Sequence, residues 1–219
     1  MIDVIYLAAG KGVRAKLGYP KQYARLGGKP IMVHGLDVLQ GMPEIGNIII
    51  PSPAHSDAPE VLSSYIYNKR IIIIEGGVTR QLSVRAGLKE VTTDEVLICE
   101  AVRPFITPEF VRSIINVDAP FVTPWINPKS TIIDTDGIFY DREMIGEVQM
   151  PQKYETRLLR QAHNLAFEDN YTDDAALVIA MTEITPVIVP GLEENIKITT
   201  PLDLKIAEAI YQARADRSE

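Results

Sequence analysis

The sequence predicts an α/β fold in which a mostly parallel sheet lies between layers of helices. Two patterns predict it. Short apolar runs rich in Ile and Val alternate with stretches of helical periodicity, the order of a β-α-β chain. The runs also lack the apolar–polar alternation of a half-exposed sheet, which marks strands covered on both faces. A chain of 219 residues, 46% of them hydrophobic, suits one large domain better than two small ones, so residues 1–219 are read as a single domain.

Strands are expected at 4–7, 48–50, 70–74, 96–99 and 186–189, and helices at 31–40, 57–67, 79–90, 108–116, 172–181 and 201–215. The first strand empties into Ala8-Ala9-Gly10-Lys11-Gly12-Val13-Arg14 and a cationic loop that ends at Lys21. Gly10 and Gly12 let backbone N–H groups approach an anion with no Cβ in the way. Arg14, Lys16 and Lys21 supply positive charge for a polyphosphate. The segment matches neither the Walker pattern nor the three-glycine dinucleotide fingerprint. Alone, it reads either as a nucleotide cradle or as a plain strand-to-helix turn.

A second glycine turn, Glu75-Gly76-Gly77-Val78-Thr79-Arg80, feeds the helix at 79–90. Thr79 can cap that helix, whose first-turn N–H groups then face a ligand. Arg80 and Ser83 share one helical face. A simple turn with a solvated arginine accounts for the same residues.

The strand at 96–99 ends in Cys99-Glu100-Ala101-Val102-Arg103. A carboxylate there can hold a Mg²⁺ ion that bridges nucleotide phosphates, or can pair locally with Arg103. Cys99 reads as a small buried hydrophobe. His34, His55 and His163 have no metal-ligand spacing and read as surface or core residues.

Residues 121–150 break the alternation. Asp136-Gly137 is a hairpin signal between apolar segments at 131–133 and 138–140, preceded by Pro120, Pro124 and Pro128. The segment is expected to be an inserted β-arm, and a lone two-stranded arm is marginal in water, so it should pack on a partner subunit.

Near the end of the chain, Lys197 sits on an extended segment before a helix with Thr200 as cap, Pro201 in first position and Asp203 in the first turn. Gly10, Gly77, Glu100 and Lys197 follow strands or comparable connections. They can converge on one crevice beyond the strands' carboxyl ends.

A net charge of −7 argues against nucleic acid as a bulk partner. With Cys99 the one cysteine, no internal disulfide can form, and a reducing cytoplasm is the expected location. No apolar run approaches the ~20 residues of a membrane span.

Taken together, the motifs resemble the cytidylyltransferases that make CDP-alditols, the family of 2-C-methyl-D-erythritol 4-phosphate and ribitol-5-phosphate cytidylyltransferases. They are Ala8-Ala9-Gly10-x-Gly12-x-Arg14 with Pro20-Lys21-Gln22-Tyr23, Gly76-Gly77-x-x-Arg80-x-x-Ser83, Ala101-Val102-Arg103-Pro104-Phe105, Pro151-Gln152, Thr172-Asp173-Asp174-Ala175 and Asn195-Ile196-Lys197-Ile198-Thr199-Thr200-Pro201.

The resemblance implies a Rossmann-like nucleotidyltransferase fold, CTP and Mg²⁺, and a homodimer joined through the arm. It implies that Arg14, Lys21 and Lys197 act on the phosphates, and that Ala8, Ala9, Gly10, Gly12, Gly77, Arg80 and Ser83 lie along the nucleotide. It implies that Arg103, Thr131 and Arg142 grip the polyol phosphate. Glu100 stands where the family usually has a metal-binding aspartate, and Val78 where some members carry a polar residue. The segments around Arg103 and Thr200 look closer to the ribitol-phosphate branch.

The implied reaction joins CTP to a polyol phosphate, giving a CDP-alditol and pyrophosphate. Two other readings use the same residues. One is a sugar-phosphate nucleotidyltransferase with another NTP, and the other is a weakened homologue that serves as a binding subunit.

Overall fold

A computed structural model of the chain describes residues 1–10, 20–167 and 171–217. The elements in chain order are β1 (Ile2–Leu7), a 3-10 turn (Lys21–Tyr23), β2 (Arg25–Leu26), β3 (Lys29–Pro30), α1 (Ile31–Gly41), β4 (Ile45–Ser52), α2 (Ala58–Ser63), β5 (Ile71–Glu75), α3 (Arg80–Leu88), β6 (Glu95–Glu100) and α4 (Pro108–Ile115). They continue with β7 (Phe121–Ile126), β8 (Ile132–Ile133), β9 (Phe139–Tyr140), β10 (Glu147–Val148), β11 (Gln152–Glu155), α5 (Thr156–Leu165), α6 (Asp174–Thr182), β12 (Val187–Pro190) and α7 (Pro201–Asp216).

The main sheet runs β10-β7-β11-β6-β1-β4-β5, with β12 also paired to β7. β1 is parallel to β4 and β6, β4 to β5 and β12 to β7, while β11 lies antiparallel to β6 and β7. The expected mostly parallel sheet is present, with one antiparallel reversal through β10 and β11.

The unbroken apolar runs have their explanation in the two-sided burial of this sheet. Val4, Tyr6, Ile48, Ile50, Leu97 and Cys99 face α1, α2 and α4, where they meet Met32, Leu36, Leu62, Phe110 and Ile114. Their neighbours Ile5, Ile49, Val96 and Ile98 face the opposite layer, α3, α5 and α6, and meet Val84, Leu88, Leu158, Leu159 and Leu177. A smaller cluster seats α7 on the β2–β3 ribbon through Leu26, Ile198 and Ala207.

Two parts of the fold depart from the expected elements. The helix expected at 57–67 is shorter, Ala58–Ser63. The strand β11 and the helix α5 were not expected. β11 reads polar because its buried positions are polar: Gln152 donates to Asp173 Oδ1 at 3.3 Å, and Lys153 Nζ donates to Glu95 Oε1 at 2.7 Å. Buried groups satisfied this way carry no apolar signature.

The segment expected as an arm divides in two. Phe121–Ile126 and Glu147–Val148 belong to the main sheet, and residues between them carry the β8–β9 hairpin. Ile132 pairs with Tyr140 and Ile133 with Phe139, and Gly137 closes the turn at φ +84°. Phe139 and Met144 are exposed on it. No helix among the described residues is long and apolar enough to cross a membrane.

α7 starts as its sequence predicts. Thr200 accepts from Asp203 N at 3.2 Å, while Asp203 Oδ2 accepts from the backbone of Thr199 and Thr200, each at 2.7 Å. This capping box anchors the segment that carries Lys197. Thr200→Ala is expected to lower unfolding free energy by about 1 kcal/mol, read as a lower urea midpoint at unchanged slope.

Candidate active site

Beyond the carboxyl ends of β1, β5 and β6 lies a cavity of about 760 Å³, walled also by the segment before α7. Backbone bonds hold these ends level. Ala101 N donates to Leu7 O at 3.0 Å, Ala8 N to Pro51 O at 3.0 Å and Gly76 N to Ser52 O at 2.7 Å. Gln22 Nε2 donates to Ala8 O at 2.8 Å, tying the 3-10 turn that carries Lys21 to the end of β1.

The two glycine turns meet directly. A Cβ at Gly76 would lie 2.6 Å from Ala9 Cβ, and one at Gly77 would lie 2.2 Å from Leu82 Cβ. A side chain at Gly76 would push the two turns apart, and one at Gly77 would collide with the first turn of α3. Among the described residues a Cβ at Gly10 would meet nothing within 4 Å, and Gly10 lines the cavity. Val78 stands at the wall with its side chain 96% exposed, an apolar surface that a bound ligand can cover.

Thr79 caps α3 by accepting from Leu82 N at 3.1 Å. Ser83 is buried in the wall, and its hydroxyl donates back to Thr79 O at 2.9 Å. Arg80 also reaches the wall, but its guanidinium is not solvated: Nη1 lies 2.6 Å from Asp174 Oδ2. Burial works against that charge, yet Asp174, Asp173 and Glu100 outweigh it and raise the arginine's pKa. Asp174 is itself buried, with its other oxygen 3.3 Å from His163 Nε2. Burial alone would raise its pKa, and Arg80 with His163 holds it low instead. The sequence reading left Asp174 and His163 without a role in the site. The Thr172-Asp173-Asp174 run was the available signal, because a carboxylate that follows a helix cap is rarely buried without a cation.

On the other side of the cavity, Glu100 Oε1 accepts from Lys197 Nζ at 2.6 Å and Oε2 accepts from Arg103 Nε at 2.9 Å. Arg103 Nη1 also donates to Asn195 O at 2.7 Å. Burial pushes the Glu100 carboxyl up, but Lys197, Arg103 and Arg80 overcome it and draw its pKa down to about 2. Lys197 lines the cavity, whereas Arg103 sits behind Glu100 and does not. The local pair considered from sequence is present, and Lys197 extends it into a three-charge cluster around the buried Glu100.

A single chain thus brings together Ala8, Ala9, Gly10, Lys21, Gly77, Arg80, Ser83, Glu100 and Lys197. Thr131 and Arg142 lie on the exposed arm, away from this wall, with Arg142 Nη1 donating to Lys129 O at 2.9 Å. Gly12 and Arg14 fall outside the described residues.

Comparison with known proteins decides the family. A family model described as "IspD: 2-C-methyl-D-erythritol 4-phosphate cytidylyltransferase" matches residues 2–213. The chain belongs to this family. It is 35% identical over 224 residues to the 2-C-methyl-D-erythritol 4-phosphate cytidylyltransferase of Geobacillus kaustophilus, with 97% of each chain covered. To that of Syntrophus aciditrophicus it is 37% identical over 232 residues, covering 99% of this chain and 98% of the relative. Among solved structures, the 4-diphosphocytidyl-2C-methyl-D-erythritol synthase of Anaerococcus prevotii superposes with a TM-score of 0.82 at 29% identity, covering 97% of this chain and 98% of that one. The Thermus thermophilus enzyme gives 0.80 at 27% identity, covering 96% and 98%. The Rossmann-like nucleotidyltransferase fold expected from the motifs is therefore present. As an IspD-family member the chain is a cytidylyltransferase, an enzyme of isoprenoid biosynthesis.

Nucleotidyl transfer calls for a divalent cation, and the donor set is compatible with one. Among the described residues no three His, Cys, Asp or Glu side chains cluster as a complete protein cage. A hard divalent cation takes one or two carboxylates and completes its shell with phosphates and water, and Glu100 is a carboxylate at the cavity wall.

Glu100 also fixes a pH dependence. Its folded-state pKa lies below the ordinary value of 4.5, so its contribution to stability is complete above that value and is lost as pH falls toward about 2. Wild-type unfolding free energy should therefore fall more steeply with acidification below about pH 4.5 than that of Glu100→Gln. Parallel slopes in urea titrations would show that the cluster does not stabilise the ionised carboxylate.

Proposed function

We propose that the chain transfers the cytidylyl group of CTP to 2-C-methyl-D-erythritol 4-phosphate, releasing pyrophosphate. The observation that carries this reading is the convergence, in one cavity, of two glycine turns with Lys21, Lys197 and an ionised Glu100. The relatives compared above act on this polyol phosphate by name, which favours it over the ribitol phosphate toward which the segments near Arg103 and Thr200 lean.

An oxygen of the substrate phosphate attacks the α-phosphorus of CTP. The bond from that phosphorus to the bridging oxygen of the β-phosphate breaks, and pyrophosphate leaves. The attacking phosphate is already anionic, so no general base is needed. Catalysis then consists of positioning and of neutralising charge on the phosphoryl oxygens.

Lys21, with Arg14, would bind the triphosphate and meet charge that develops at the α-phosphate. Lys197 would hold the α-phosphate and the incoming phosphate together. Ala8, Ala9, Gly10, Gly12, Gly77 and Ser83 would lie along cytosine and ribose, with Arg80 beneath them. Mg²⁺, held by Glu100, would screen the phosphate charges when bound.

The site is completed by a second copy of the chain in this reading. The domain at 1–219 would dimerise through the arm, and Arg142 and Thr131 of one protomer would grip the polyol phosphate at the other's cavity, near Arg103. The exposed apolar residues of the arm, Ile133, Phe139 and Met144, support such a contact. A cytoplasmic location accords with the free, buried Cys99.

Pyrophosphate release from CTP, measured with 2-C-methyl-D-erythritol 4-phosphate and with ribitol 5-phosphate, tests the reading. The erythritol phosphate should be turned over with the higher kcat/KM, and UTP, GTP and ATP should replace CTP poorly. Absence of turnover with both polyol phosphates would overturn the proposal. Lys21→Ala and Lys197→Ala should each lower kcat by about 10²-fold or more with the fold intact. Arg142→Ala should raise KM for the polyol phosphate and leave KM for CTP near wild type.

A further inference from the structure

The contacts of Glu100 point beyond metal binding. We propose that Glu100 is a selectivity residue that occupies Lys197 in the unliganded site, so that the cavity accepts the cation–nucleotide complex and discriminates against free nucleotide. The proposal rests on the CTP reading above and deepens it.

The geometry separates the two cations that Glu100 holds. Arg103 is fixed from behind: its Nε meets Glu100 Oε2 at 2.9 Å, its Nη1 meets Asn195 O at 2.7 Å, and its side chain is 11% exposed. Asn195 is in turn held by donating from Nδ2 to Met150 O at 2.6 Å. Lys197 is the partner with room to move. Its side chain is 38% exposed and it lines the cavity, with Nζ 2.6 Å from Glu100 Oε1. Glu100 is therefore anchored to the protein by the arginine and engaged toward the ligand by the lysine.

A phosphate that approaches Lys197 meets a carboxylate already in contact with it. To bind without a metal, the phosphate must share the lysine with a buried anion or displace it, and like charges in a low-dielectric site repel strongly. A divalent cation removes the conflict, because Glu100 then faces the metal and Lys197 is released to the phosphate. Metal and nucleotide binding are thus linked through one carboxylate, and the linkage is reciprocal.

Calorimetric titration of CTP into the enzyme, once in EDTA and once in Mg²⁺, tests the inference without measuring activity. Glu100→Gln should tighten metal-free CTP binding by about tenfold and shrink the difference between the two buffers. Glu75 lines the same cavity, so Glu75→Gln removes an equal charge from the wall and controls for a general field effect. It should tighten metal-free binding less than Glu100→Gln does. In a Lys197→Gln background, adding Glu100→Gln should give a clearly smaller gain.

Unchanged or weaker metal-free binding by Glu100→Gln would overturn the proposal and leave Glu100 as a metal ligand alone. An equal gain in Glu75→Gln, or an undiminished gain without Lys197, would overturn it too. Circular dichroism checks the fold of each variant. Should Glu100→Gln not fold, Glu100→Asp takes its place and should give a smaller gain in the same direction, with no gain counting against the proposal. Failure of the wild type to bind CTP in either buffer would instead refute the nucleotide reading.

Discussion

The parallel register of β1 between β4 and β6 is the constraint on which the rest of the molecule depends. Leu7 lies opposite Glu100, and Ser52 on β4 lies opposite Glu75 on β5. Three chain segments consequently leave the sheet at one level: Ala8 to Gly10, Gly76-Gly77 and Ala101. A slip of one residue in any of these pairs would turn every side chain to the opposite face. The two cores forbid it, because Val4 and Tyr6 on one side and Ile5 on the other are all buried. Packing far below the cavity thereby sets the geometry at its rim.

The rim itself is built from charges that the fold has largely removed from water. Arg80 with Asp174 forms one group, and Glu100 with Lys197 and Arg103 forms another. Buried ion pairs are weak sources of stability, since desolvation cancels much of their attraction. Their value here is positional. Arg80 and Arg103 are held in place before a ligand arrives, so the adjustment left for binding is confined to Lys197 and the Glu100 oxygen that it contacts. The two groups also sense each other, as Glu100 contributes to the raised pKa of Arg80 and Arg80 to the lowered pKa of Glu100.

Residues with strong local signals were legible in the sequence. The Ile and Val runs located β1, β4, β5 and β6, and Thr79 and Thr200 cap the helices that follow them. Asp136-Gly137 placed the hairpin at the tip of the arm. The missed elements are those whose stabilising partners come from elsewhere in the chain. β11 depends on Asp173 and Glu95 to satisfy Gln152 and Lys153, and His163 in α5 acquires its setting from Asp174, eleven positions along. Neither dependence leaves a periodic mark.

By itself the sequence determined the fold class and the chemical types that meet in the cavity, because these follow from hydrophobic periodicity, cap residues and glycine turns, all properties of short segments, while its motifs carried the resemblance to the family. Tertiary structure alone decided which charges neighbour which. Glu100 and Lys197 are 97 residues apart, yet their side chains touch at 2.6 Å. Spacing could offer Glu100 only Arg103, three residues on, as a partner. The sheet's register and the seating of α7 added the lysine, and with it a carboxylate shared between a fixed cation and one that faces the ligand.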